Sequence, residues 1–177
     1  EVHRHLSHYR DVKNAASGLA GVISLDPKLK ERLLVIAPKI LLLTYDYNQG
    51  VRDTMRQLWC QLIDVDNEAK VIAEKWPEIQ DMALESIQKR EFRKRLSGCL
   101  VLADLVPNRE WNDIKGKFRE LFTGALSLWG DDMETIRDAS RDLSKAIKSL
   151  VMRYANLYSN NDIDQLKDVM QTVMPIV

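Results

Sequence analysis

The stretch Val51-Arg52-Asp53-Thr54-Met55-Arg56-Gln57-Leu58-Trp59 opens an amphipathic helix on an apolar residue followed by arginine. The same step returns at Phe92-Arg93 and at Ile136-Arg137, 41 and then 44 residues further along the chain. Helical self-similarity at about 40–47 residues is the sequence mark of HEAT or armadillo arrays. One helix pair cannot cover its own apolar face, so each must stack on the next. The expected fold class is therefore all-α: an α-solenoid of HEAT-like antiparallel helix pairs, whose function lies in shape and surface.

Upstream of this stretch, Leu29, Leu33, Ile36, Ile40 and Leu43 line one face of a helix over about 28–44. Pro38 falls inside that pattern and removes a backbone donor, which predicts a kink. Before it, Val12, Ala16, Leu19 and Ile23 mark a helix over about 9–24, ended at Asp26-Pro27 because a residue before proline avoids the helical region. Downstream, a helix over about 69–86 again carries a proline, Pro77, and is followed by one over about 91–105. A third pair takes 111–129 and 132–157, and 163–174 opens a further one after the turn at 159–162. The expected units are 1–26, the second helix of a preceding repeat; 28–66, 69–107 and 111–158, three repeats; and 162–177, the first helix of a following repeat. A four- or five-helix bundle is the competing architecture, but a bundle has no reason to repeat the apolar-arginine step in register.

The turns before these second helices hold the candidate structural sites. Asp46 stands five positions before Val51 and Asp131 five before Ile136, whereas the middle pair has Ile87 there. In a repeat ladder the turn carboxylate bonds free amides at the helix start, and the guanidinium reaches a neighbouring carboxylate. Asp46, Arg52, Arg93, Asp131 and Arg137 form that expected set. Lys89, Arg90, Lys94 and Arg95 crowd the middle turn, at a helix start where the macrodipole disfavours cations. They are the candidate partner-binding residues, for an acidic protein surface. Asp131, Asp132 and Glu134 need no partner to explain them, since acids at a helix start are stabilising.

Composition excludes several classes. Lys plus Arg is 26 and Asp plus Glu is 26, so the chain lacks the basic excess of a nucleic-acid binder. Apolar residues at 45% fit a packed core rather than a disordered tail. The apolar run 33–43 is too short to span a bilayer. No leader is visible at the start, and the chain reads as a segment of something longer. Cys60 and Cys99 are expected as two buried thiols in a reducing compartment. Trp59, Trp76, Trp111 and Trp129 are expected to pack within or between repeats. His3, His5 and His8 sit close together without the further ligands that a zinc site needs. No phosphate loop or catalytic motif is present, so neither a cofactor, a metal nor an enzymatic activity is expected.

The ordered series of these residues resembles a known family. Ala37-Pro38-Lys39-Ile40, then Tyr45-Asp46-Tyr47-Asn48-Gln49-Gly50-Val51-Arg52-Asp53-Thr54-Met55 and Leu58-Trp59, is similar to the large HEAT-repeat adaptor and scaffold of the proteasome. Phe92-Arg93, Ser97-Gly98-Cys99-Leu100, Ala103-Asp104-Leu105, Leu121-Phe122, Asp131-Asp132, Ile136-Arg137, Leu143 and Val173-Met174-Pro175 continue in register. The chain departs from the family at Tyr47-Asn48-Gln49, where an Asp-Pro-Asn turn is common, and at Thr54, where alanine is usual. The resemblance implies a non-enzymatic, monomeric segment of a protein that tethers the proteasome's regulatory particle to its core particle. It also implies a part in proteasome quality control, contacts with vesicle or motor proteins, and a place in cytoplasm and nucleus. A transport receptor or phosphatase scaffold is the rival within HEAT proteins, and a helical nucleic-acid-binding module the rival from another class.

Overall fold

The computed structural model describes residues 2–23, 27–159, 163–173 and 175–176. The helix end expected at Asp26, the turn at 160–162 and the side chains of His3, His5 and His8 lie outside the described residues. Every regular element among those described is helical, and no described helix is long and apolar enough to cross a membrane. The chain divides into two compact units, Glu1–Met82 and Ala83–Val177.

In the first unit, α1 (Val2–Ile23) packs against α4 (Gln49–Leu62), and α3 (Ala37–Leu43) also packs on α4. The helix expected over 28–44 is two helices, α2 (Pro27–Val35) and α3, separated by Ile36 alone. Pro38 is the cause: it has no N–H to give, and its ring clashes with the carbonyl four residues back. The chain restarts with Ile36 as the cap residue, whose carbonyl accepts from Lys39 N at 3.0 Å and Ile40 N at 3.1 Å. Pro77 does the same one pair later. There α5 (Val65–Glu74) and α6 (Trp76–Ile87) are separated by Lys75, with φ −95° and ψ 4°. In both places the proline occupies the second position of the new helix, where its missing donor costs nothing.

Asn48 caps α4 by accepting from Val51 N at 3.2 Å. Val51, Met55, Leu58, Trp59 and Leu62 are buried along its inner face, as the periodicity predicts. Cys60 is not. It is exposed, because nine residues at 100° each turn it half a revolution away from Val51. The indole N–H of Trp59 donates to Glu68 Oε1 at 2.6 Å, tying α4 to α5.

The second unit is built on α7 (Phe92–Leu105), buried nearly all round through Leu96, Gly98, Cys99, Val101, Leu102 and Leu105. The long α10 (Glu134–Ser159) lies against it with Ile136, Leu143, Ile147 and Leu150 inward. Burial of each such side chain stabilises the fold by about 1.5–3 kcal/mol. The end of α6 also meets α7: a Cβ on Gly98 would stand 2.8 Å from the Ala83 carbonyl oxygen and 2.8 Å from Ile87 Cγ2. Gly98 is glycine because two helices approach there within a side chain's width.

The helix expected over 111–129 is again broken. It comprises α8 (Trp111–Ile114), a 3-10 turn (Lys115–Lys117), α9 (Phe118–Ser127) and a second 3-10 turn (Leu128–Gly130). No proline causes this break; Gly116 sits in it, and glycine is the weakest helix former after proline. Trp111 packs on Phe118 with ring centroids 5.5 Å apart. The last helix, α11 (Ile163–Val173), packs on α9 and α10 with Val169 buried.

Candidate functional site

The turns that precede α4, α7 and α10 share one construction. Before α4, the guanidinium of Arg52 donates through Nη1 to the carbonyls of Asp46 at 2.7 Å and Tyr47 at 2.8 Å. Before α10, Nη1 of Arg137 donates to the carbonyls of Asp131 at 2.6 Å and Asp132 at 3.1 Å. In each case the arginine reaches back six and five residues to carbonyls that no helix satisfies. The aspartate side chain closes the same turn from the other side. Asp46 Oδ1 accepts Asn48 N–H at 2.7 Å, and Asp131 Oδ1 accepts Met133 N–H at 3.0 Å.

The middle turn is built the same way, but by a different arginine than the apolar-arginine step suggests. Arg95 donates through Nη1 to the carbonyl of Lys89 at 3.1 Å and to that of Arg90, again six and five residues back. The residue equivalent to Arg52 and Arg137 is therefore Arg95, and Lys89 takes the place of Asp46 and Asp131. Arg93, expected in that role, instead lies half-buried with its guanidinium carbon 5.6 Å from the Phe92 ring centroid. The corrected steps, 52 to 95 and 95 to 137, are 43 and 42 residues. Taking Arg95 rather than Arg93 as the middle arginine gives the steadier period, since Arg93 repeats the steps of 41 and 44.

Arg95 does a second thing. Its Nε donates to Asp131 Oδ2 at 2.7 Å and its Nη2 to Asp131 Oδ1 at 3.2 Å. Side-chain exposure is 17% for Arg95 and 6% for Asp131, so the pair is shielded from solvent and geometrically two-pronged. Burial alone would push the Asp131 carboxyl up. The Arg95 hydrogen bond, the Met133 amide and the charges of Arg95 and Arg137 outweigh it and hold the group below the usual aspartate value.

The four basic residues singled out at this turn thus part company. Arg95 is committed to Asp131 and to two carbonyls. Lys89 pairs with Glu85 at 2.6 Å and Lys94 with Glu91 at 2.7 Å, both on the surface. The Lys89 hydrogen bond and charge, with a further contribution from Lys94, hold the Glu85 carboxyl below its ordinary value. Arg90 is exposed, and its side chain carries no ion pair among the described residues. The patch left for a partner is Arg90 with the screened ammonium groups of Lys89 and Lys94.

The two cysteines differ as sharply. Cys99 lies inside α7, and burial, with the Asp131 charge adding to it, pushes its thiol up to about 12. Cys60 faces solvent. Of the four tryptophans, Trp59, Trp76 and Trp111 are buried, but Trp129 is 49% exposed, contrary to the packing role expected for it. It belongs to the 3-10 turn Leu128–Gly130, where the chain leaves α9 before its ring can enter the core.

No family profile matches the chain, and no solved structure matches it. Over 118 residues, 67% of this chain, it is 24% identical to the human Proteasome adapter and scaffold protein ECM29. The matched stretch is 6% of that protein's length. The likeness is partial and of low identity, a hint of relationship to a proteasome-scaffold superfamily.

Proposed function

We propose that the chain is a non-enzymatic adaptor and scaffold segment, made of HEAT-like antiparallel helix pairs stacked as a solenoid. Its partners are subunits of the proteasome's regulatory and core particles, and it acts in cytoplasm and nucleus. The observation that carries this reading is the recurrence of Arg52, Arg95 and Arg137, each closing a turn by the same pair of bonds. An even register of equivalent turns is what stacked pairs require, since each pair contacts its neighbours through the same positions. The likeness to a human proteasome adapter and scaffold protein supplies the class of partner.

The surface assigned to docking is the turn before α7, where Arg90 and Lys94 offer positive charge to an acidic partner. Rim charges of this kind govern encounter rate and register more than affinity. The experiment is co-purification of proteasome particles with the tagged protein, beside a variant carrying Lys89→Glu, Arg90→Glu and Lys94→Glu. Reduced recovery of either particle with the variant is the expected result. Undiminished recovery of both removes this patch, and recovery of neither by the unaltered protein overturns the partner class.

A further inference from the structure

The basic turn before α7 is fixed at both of its ends. On the near side Ile87 is buried, and its side chain lies where α7 and α9 carry glycine. A Cβ on Gly98 would stand 2.8 Å from Ile87 Cγ2, and one on Gly124 2.5 Å from Ile87 Cδ1. The turn then begins with Gln88 N–H donating to the Glu85 carbonyl at 3.2 Å and Lys89 N–H to that of Ser86 at 3.1 Å. On the far side, Arg95 Nη1 holds the carbonyls of Lys89 and Arg90. That guanidinium is itself held, because its Nε and Nη2 both meet the shielded Asp131 carboxylate. Arg52 and Arg137 differ, since their hydrogen bonds stay within their own turns and, for Arg52, reach Gln49 of its own helix. Among the described residues, Arg95 is the turn arginine whose place is set from another turn.

We infer that Asp131 is a positioning residue for docking at the basic turn, although it lies in the following turn. The inference rests on the docking role proposed above for that surface. With Asp131 in place, Arg95 keeps the backbone of Lys89 and Arg90 in one conformation, so their cationic side chains leave the surface from fixed points. Once Asp131 loses its charge, the planar fork is no longer aligned by a two-pronged partner. The turn must then be ordered as the partner binds, and that ordering is subtracted from affinity. No surface charge changes in the process. A lysine at position 95 cannot stand in, because a single ammonium lacks the rigid fork that serves a carboxylate and two carbonyls together. The strength of a basic docking surface is thus governed by a buried acid.

The test compares Asp131→Asn with Asp46→Asn in the full chain. Asp46 is the equivalent residue of the turn before α4, but Arg52 takes only its backbone carbonyl. Two quantities are read: amide hydrogen exchange at Gln88 and Lys89, and affinity of the immobilised chain for purified proteasome particles. Asp131→Asn should speed exchange at these two amides severalfold and weaken binding about tenfold, while protection at Leu102 and Ile147 shows that the fold is kept. Asp131→Glu should restore most of both. Arg95→Lys, which retains the charge, should weaken binding as Asp131→Asn does, and Asp46→Asn should change neither quantity. Binding that survives both Asp131→Asn and Arg95→Lys, or that falls as far in Asp46→Asn, overturns the inference. If the triple charge reversal at Lys89, Arg90 and Lys94 nevertheless abolishes binding, the docking surface stands and only the positioning role falls. If the triple variant also binds undiminished, the docking surface falls and the inference with it.

Discussion

Arg95 and Asp131, separated by 36 residues, join the turn before α7 to the turn before α10 through two parallel hydrogen bonds. Removing one member strands the other where water reaches it poorly. Arg95→Ala should therefore lower stability by about 1.5–3 kcal/mol, the range for hydrogen bonds to charged groups. Arg90→Ala, five residues earlier on an open surface, should stay within about 0.5 kcal/mol. Urea unfolding of the two variants side by side measures the difference, and equal midpoints would remove Arg95 from the structural role given to it.

The same pair sets an acid limit. The Asp131 carboxyl is held lower in the folded chain than in the unfolded one, so the unfolded state takes up its proton first as pH falls. The stabilisation is complete above about pH 4, the ordinary aspartate value, and is lost as pH drops through the folded value. Asp131→Asn should flatten the stability profile over this acid window while lowering stability at neutral pH. Denaturant titrations across the window would reveal an unaltered acid slope if other carboxylates control it.

At Gly98 a methyl group would meet the backbone oxygen of Ala83 at 2.8 Å. Backbone cannot swing aside, so Gly98→Ala should cost about 1–3 kcal/mol through overpacking. Gly18→Ala in α1 should do the reverse and gain about 0.5–1 kcal/mol, because nothing lies within 4 Å of its Cβ. Thermal melts of the two variants should move in opposite directions.

Two tryptophans separate core from surface. Trp59 is buried and bonded to Glu68, so Trp59→Ala should cost about 3–5 kcal/mol. Half-exposed Trp129 should cost less than about 1 kcal/mol on the same change. A similar melting temperature for both variants would contradict the burial described for Trp59.

Thiol chemistry offers an independent check on the two helix faces. An aromatic disulfide reagent should modify one cysteine in the folded chain, Cys60, and the second after unfolding. Cys99 is protected twice over, by burial and by a thiol pushed up to about 12, since the thiolate is the reactive form. Rapid labelling of both thiols under native conditions would place α7 wrongly in the core.

Periodicity made the inner faces of α4 and α10 legible, because Val51, Met55 and Leu58, like Ile136, Leu143 and Ile147, follow the helical repeat without interruption. The proline effects were legible in position but not in extent: Pro38 and Pro77 each end one helix and start another rather than bend one. Lys115–Lys117 gave no such warning, since a lone Gly116 among good helix formers barely weakens the pattern. Cys60 was misplaced by its neighbour Trp59, although one residue is a 100° turn. Arg52 and Arg137 close their own turns through backbone carbonyls, where the ladder expected each guanidinium to reach a neighbouring carboxylate. Arg95 was hidden because five basic residues crowd that turn, and composition alone does not say which of them turns inward. Trp129 was hidden because burial depends on where a helix stops, and α9 stops just short of it.

The long α10 outruns α4 and α7, each 14 residues against its 26. Near its far end Arg153 donates to the carbonyls of Pro107 at 2.9 Å and Arg109 at 2.7 Å, and the Tyr154 hydroxyl bonds Glu110. At its near end Arg137 and Asp131 fasten it to the turn before it. A helix rises about 1.5 Å per residue, so α10 is a rod close to 40 Å long, clamped at both ends. Tension applied along it would load these two clamps together in shear before any turn could open. A pull transmitted through the chain would thus meet its first resistance at these two clamps, not in the hydrophobic core.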